Sequence, residues 1–142
     1  MLYSEQHPSK ARVVLVAEDD ELTLVLISTF LVSAGYEVVS ARNGFEALVA
    51  LERDPRIRLV VLDLVMPVMD GWEFVAHLAS RPEFDRLGLV VVTGFDALES
   101  DFGTAQILRK PLRQESLLHA VAKAYQNAAP DERPAIACKF RS

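Results

Sequence analysis

Five short apolar runs rich in Val, Leu and Ile recur along the chain: Val13 to Ala17, Tyr36 to Ser40, Leu59 to Leu62, Leu89 to Val92 and Ala105 to Leu108. Continuous apolar runs of this length read as strands buried on both faces. Segments with helical spacing lie between them. Strand and helix in alternation predict an α/β domain with a parallel sheet, because parallel neighbours must be joined by crossovers. Right-handed crossovers then leave few topologies.

The first helical segment carries Leu22, Val25, Leu26, Ile27, Phe30 and Leu31 and ends at Gly35, a left-handed cap. The second runs from about Phe45 to Leu51 after the turn signal Asn43-Gly44. A third starts near Gly71, carries Trp72, Val75, Ala76 and Leu78, and stops before Pro82. The last spans about Gln114 to Tyr125, with Leu117, Leu118, Val121 and Ala122 on one side. The fourth crossover, Thr93 to Thr104, is short, and Gly94 and Gly103 weaken both its ends, so one or two helical turns are expected at Asp96 to Asp101. Pro130 and Pro134 end any helix after Gln126. The expected organisation is an extension over 1–10, one domain over 11–126 and a flexible tail or truncated linker over 127–142.

The chain's 142 residues, 51% hydrophobic and 25% charged, suit one domain with a sizeable core. A formal charge of −5 disfavours general affinity for phosphate backbones or anionic lipid, and there is no local basic patch. Direct nucleic-acid binding is therefore not expected. Cys138 is the only cysteine, which excludes an intrachain disulfide and a zinc cluster and fits a reducing cytoplasm. The run from Val13 to Ala17 is far below the roughly 20 residues needed to cross a bilayer, so neither a secretory signal nor membrane insertion is expected.

Polar residues interrupt the pattern at the carboxyl ends of the strands. Glu18, Asp19 and Asp20 follow the first strand, Asp63 ends the third, Thr93 the fourth and Lys110 the fifth. In an open doubly wound sheet that edge binds ligands. Glu18, Asp19 and Asp63 could hardly stay ionised together unaided, so a cation is expected. Oxygen-only ligands without His or Cys favour Mg²⁺, with Mn²⁺ able to substitute. An aspartate beside such an ion can attack a phosphoryl group, with a lysine and a hydroxyl meeting its oxygens. Asp63, Lys110 and Thr93 supply those parts. His7, His77 and His119 are scattered and read as solvated. Trp72 and Phe74 read as packing or surface cover, and Cys138 as incidental.

The set resembles the receiver domain of two-component response regulators over residues 11–126. The matching motifs are Val14-Leu15-Val16-Ala17-Glu18-Asp19-Asp20, Leu62-Asp63-Leu64-Val65-Met66-Pro67, Asp70-Gly71, Val92-Thr93 and Lys110-Pro111. The resemblance implies a flavodoxin-like, doubly wound five-stranded parallel sheet in the order 2-1-3-4-5. It implies Asp63 as phosphoacceptor, served by a sensor histidine kinase or a histidine phosphotransfer protein. Glu18, Asp19, Asp63 and the backbone carbonyl of Val65 would be the Mg²⁺ ligands, Thr93 and Lys110 the phosphoryl partners, and Pro111 would follow a cis peptide. A downstream protein target is implied, and assembly into a homodimer stays open.

Three positions depart from the family pattern. Ile107 stands where receivers usually carry an aromatic switch residue. Thr93 and Lys110 lie only 17 positions apart, which shortens the fourth helix of the family and alters its usual output face. Signalling is therefore expected to use another surface, such as the first or the last helix, or a docking change around Gly94 to Gly103. Val65 and Phe95, two residues after Asp63 and Thr93, are apolar and cannot orient a hydrolytic water, which predicts a persistent phosphoryl group. The alternative reading is a pseudo-receiver, a protein-binding module that is never phosphorylated. A phosphohydrolase would want a second acid where Val65 stands, and a nucleotide or flavin binder would want a glycine-rich phosphate loop.

Overall fold

The computed structural model describes residues 12–94, 102–103 and 105–128. β1 (Val13–Ala17), β2 (Glu37–Ala41), β3 (Ile57–Asp63), β4 (Gly88–Thr93) and β5 (Gln106–Arg109) form one parallel sheet in the order β2-β1-β3-β4-β5. The helices are α1 (Glu21–Ser33), α2 (Gly44–Arg53), α3 (Gly71–Ala79) and α4 (Gln114–Asn127), with a 3-10 turn at Pro82–Phe84. This is the flavodoxin-like order. The one- or two-turn helix expected at Asp96 to Asp101 lies outside the described residues, as do His7, Phe95 and Cys138.

The apolar runs located all five strands to within a residue or two. Burial on both faces, however, holds only for β1, β3 and β4. β2 and β5 stand at the sheet's edges, each with a single strand neighbour, and keep exposed or half-buried positions. Two cores follow from the two faces. Leu15, Leu62, Phe74, Leu78 and Phe102 fill the side under α2 and α3. Val14, Val16, Ile27, Leu31, Leu117 and Val121 fill the side under α1 and α4.

Each helix is set by its ends and its inward stripe. Asp20 caps α1, accepting hydrogen bonds from the Thr23 N–H at 2.9 Å and the Thr23 hydroxyl at 2.7 Å. Gly35 closes α1 with a φ of +96°, its N–H donating to the Val32 carbonyl while the Tyr36 N–H donates to Leu31. α1 buries Leu24, Ile27 and Leu31 and leaves Leu22, Val25 and Leu26 exposed, since apolar residues lie on more than one of its faces and only one face meets the sheet. In α3 Phe74 is fully buried, whereas Trp72 remains 38% exposed and Ala76 faces solvent. α4 turns Leu117, Ala120, Val121 and Ala124 inward and exposes Ala122.

Candidate functional site

Three strand ends bring the acidic residues together. Glu18 and Asp19 leave β1, Asp63 ends the neighbouring β3, and carboxylate oxygens of all three lie within 4.8 Å of one another. The fold forces this closeness, since parallel register sets Ala17 beside Leu62 and places the next residues on one rim. Glu18 and Asp63 are buried and Asp19 is exposed. Asp20, next along, is spent as the α1 cap and stands apart from the cluster.

The basic and hydroxyl residues close the other side. Thr93 ends β4 fully buried, and its carbonyl accepts the Lys110 N–H at 2.8 Å, which fastens the end of β5 to β4. The Lys110–Pro111 peptide is cis. Lys110 Nζ lies 3.1 Å from Glu18 Oε1 and 3.6 Å from Asp63 Oδ1, so one ammonium serves two buried carboxylates. Glu18 Oε2 accepts the Asp20 N–H at 3.1 Å, but Oε1 takes part in no well-directed hydrogen bond despite its burial. The Val65 N–H stands 3.5 Å from Asp63 Oδ1, and Val65 itself is 60% exposed at the mouth of the pocket.

Electrostatics follow from this crowding. Burial, then repulsion from Asp63, raises Glu18 to a pKa of about 7, although the Asp20 N–H and Lys110 pull the other way. Burial likewise raises Asp63, against the attraction of Lys110. Burial alone would depress Lys110, but Glu18 and Asp63 outweigh it and hold the ammonium above its ordinary value. The site is thus short of positive charge. Three carboxylates crowded together, two of them buried, with no nitrogen or sulfur among the donors, fit a hard divalent ion.

The other motif residues support the rim. The Gly71 N–H donates to the Leu64 carbonyl at 2.9 Å, and a Cβ there would come within 2.8 Å of the Asp63 carbonyl oxygen, so only glycine fits. Asp70 and Glu73 form a reciprocal capping box at the start of α3. Two features escaped sequence reasoning. Lys110 is held chiefly by Glu18, which no spacing rule indicates. Val68 adopts a φ of +68°, where no glycine or asparagine signalled a left-handed turn.

The family model for the response regulator receiver domain matches residues 14–122. The polar-differentiation response regulator DivK of Brucella anthropi is 34% identical over 88 residues, covering 62% of this chain and 70% of that protein. The response regulator MprA of a Mycobacterium species is 33% identical over 126 residues, covering 85% of this chain. This chain spans about half (54%) of MprA's length. Among solved structures, chemotaxis response regulator CheY4 of Vibrio cholerae has a TM-score of 0.73 at 27% identity, covering 81% of this chain and 99% of that one. A response regulator receiver protein from Sinorhizobium medicae reaches 0.76 at 26% identity, covering 85% and 99%.

Proposed function

Because the chain belongs to the response regulator receiver domain family of two-component signalling, we propose that it is a phosphorylation switch whose acceptor is Asp63. The observation that carries this reading is the convergence of Glu18, Asp19, Asp63 and Lys110 on one half-buried rim. The receiver unit is taken as residues 11–126, working in the cytoplasm. The donor is a phosphohistidine of a sensor histidine kinase or a histidine phosphotransfer protein, and the recipient of the signal is a partner protein.

Glu18, Asp19, Asp63 and the Val65 carbonyl would hold Mg²⁺, which supplies neutralisation of charge on the transferring oxygens. Asp63 attacks phosphorus through a carboxylate oxygen. The new O–P bond forms as the donor's N–P bond breaks, and the histidine leaves with the bonding electron pair. Lys110 exchanges its contact with Glu18 for a phosphoryl oxygen, and the Thr93 hydroxyl donates to another. The protein thus catalyses its own modification and turns over no separate substrate. Val65 at the pocket mouth offers no group to orient a hydrolytic water, which favours a long-lived acyl phosphate.

Intact mass after incubation with acetyl phosphate and Mg²⁺ tests the reading. One added phosphoryl group is expected, absent from Asp63→Asn and from a chelated sample. No addition under any condition, with no Mg²⁺ binding, would instead support the pseudo-receiver, a phosphorylation-independent binding module.

A further inference from the structure

The amino end of the sheet carries a second pocket, assembled from residues far apart in the chain. Arg12 directly precedes β1 and Tyr36 directly precedes β2, and α4 sets His119, Ala122, Lys123 and Gln126 against them at helical spacing. With Tyr125 they enclose about 530 Å³, room for a small organic molecule. No stretch of the sequence is basic here, because only folding brings Arg12 to His119 and Lys123. The acidic rim lies the length of β1 away, about 16 Å at about 3.3 Å for each residue of the strand.

The pocket's charge is one-sided. Its lining holds a guanidinium, an ammonium and an imidazole, and no carboxylate. Arg12 and Lys123 make no ion pair among the described residues. Glu37, the residue after Tyr36, is engaged by Arg56, which reaches its Oε1 at 3.2 Å and its Oε2 at 2.9 Å. Glu115, one turn before His119 on α4, stands outside the lining. The chain's own ends bring no net negative charge either, since residues 1–11 and 129–142 carry Lys10, Arg133, Lys139 and Arg141 against Glu5, Asp131 and Glu132. Cations gathered around a concavity without such compensation repel one another and attract an anion.

Arg12 is also held in position. Its guanidinium lies over the ring of the buried Tyr36, 4.5 Å from the centroid, and its carbonyl accepts the Glu37 N–H at 2.9 Å. Tyr36 in turn meets the half-buried Tyr125, with 6.0 Å between ring centroids. Stacking fixes the guanidinium plane, and the exposure of Arg12 leaves N–H groups free for a ligand.

We propose that this pocket binds a phosphomonoester carried on a small organic body. The guanidinium of Arg12 engages two phosphate oxygens, the Lys123 ammonium a third, and the body lies against Ala122 and Tyr125. A doubly charged phosphate matches two permanent cations better than a single carboxylate does. A concave site of this size admits one such group, whereas a nucleic-acid backbone needs a basic stripe. The inference is independent of the reading of Asp63 as phosphoacceptor.

AMP and glycerol phosphate, titrated into the intact protein in chelator and followed by its amide resonances, supply the probes. Saturable shifts are expected at residues 12, 36 and 119–126 and not at residues 18, 63 and 110. Arg12→Ala and Lys123→Glu should each weaken binding by at least about tenfold, and Lys123→Arg should retain it. Lys123 is exposed, so Lys123→Glu should keep the parent's melting temperature and separates lost binding from lost folding. Tighter binding of AMP than of glycerol phosphate supports the site with a base resting on Tyr125, and equal binding supports it with the phosphate carrying the affinity. Adenosine or inorganic phosphate that binds as tightly as AMP overturns the proposal. So do shifts centred on the acidic rim, an affinity unchanged in both weakening variants, or no saturation by either probe at millimolar concentration.

Discussion

The two ends of the sheet handle charge in opposite ways. At the amino end Arg56 lies between Glu37 at 2.9 Å and Asp54 at 2.8 Å, and Arg81 between Glu52 at 2.7 Å and Glu83 at 3.0 Å. Each cation is matched, and these side chains face solvent wholly or in part. Arg12 lies over the Tyr36 ring, 4.5 Å from its centroid. At the carboxyl end two buried carboxylates share a single lysine, and the exposed Asp19 stands beside them. Paired exposed charges hold loops together cheaply. Crowded buried charges destabilise a fold unless something binds there, so the carboxyl rim is built for a ligand and the ion pairs of the amino end for the chain itself.

The largest effect should come from Asp63→Asn. We expect complete loss of phosphoryl incorporation by intact mass, together with a higher melting temperature in chelator, because a buried like charge is gone. A variant that still gained one phosphoryl group would relocate the acceptor. Glu18→Gln comes next. Two unit charges within 4.8 Å repel by about 3 kcal/mol or more at an effective dielectric of about 20. Its neutral side chain should therefore stabilise the metal-free protein and weaken Mg²⁺ binding by at least about tenfold, an effect that calorimetric titration resolves. Tighter Mg²⁺ binding in this variant would erase the contrast between the two ends.

The pH dependence is smaller and has a definite sign. Glu18 is raised from 4.5 to about 7 and Asp63 is raised with it, so both favour the protonated form on folding. Their contribution to stability is full below the unfolded values and is lost as pH climbs through about 7. Without metal the melting temperature should fall over that interval. Mg²⁺ held by the ionised pair, as proposed, should stabilise increasingly across the same interval, by about 2.7 kcal/mol at a hundredfold excess over Kd. A metal-free melting curve that rose from pH 5 to 7.5 would contradict the crowding of these acids.

Strands and rim residues were readable in the sequence because both rest on local signals, whereas the sheet order was implied only by the family resemblance. Apolar runs mark strands, and the residue after a run marks its carboxyl end, so Glu18, Asp63, Thr93 and Lys110 could be placed before any coordinates. The edges were less legible. β2, with Glu37 and Ser40, and β5, with Gln106 and Arg109, are more polar than β1, a faint sign of an edge that only position in the sheet turns into exposure. α1 was obscure for a similar reason, since only tertiary packing chooses Leu24 over Leu22 and Val25. Val68 was hidden because a valine gives no warning of a left-handed turn. The pairing of Lys110 with Glu18 is a side-chain choice made in three dimensions.

The smallest effect is expected at the amino end. Arg56→Ala removes a guanidinium that Asp54 and Glu37 hold above its ordinary pKa, but the group is open to water and salt screens what it contributes. The melting temperature should drop slightly at low ionic strength, and parent and variant should converge in molar salt. Mg²⁺ affinity should not move, since Arg56 lies at the far end of β3 from Asp63. A loss at Arg56 larger than the gain at Glu18→Gln would reverse the comparison. The amino end would then carry the domain's main electrostatic stabilisation, and the crowding of Glu18, Asp19 and Asp63 would be a minor cost.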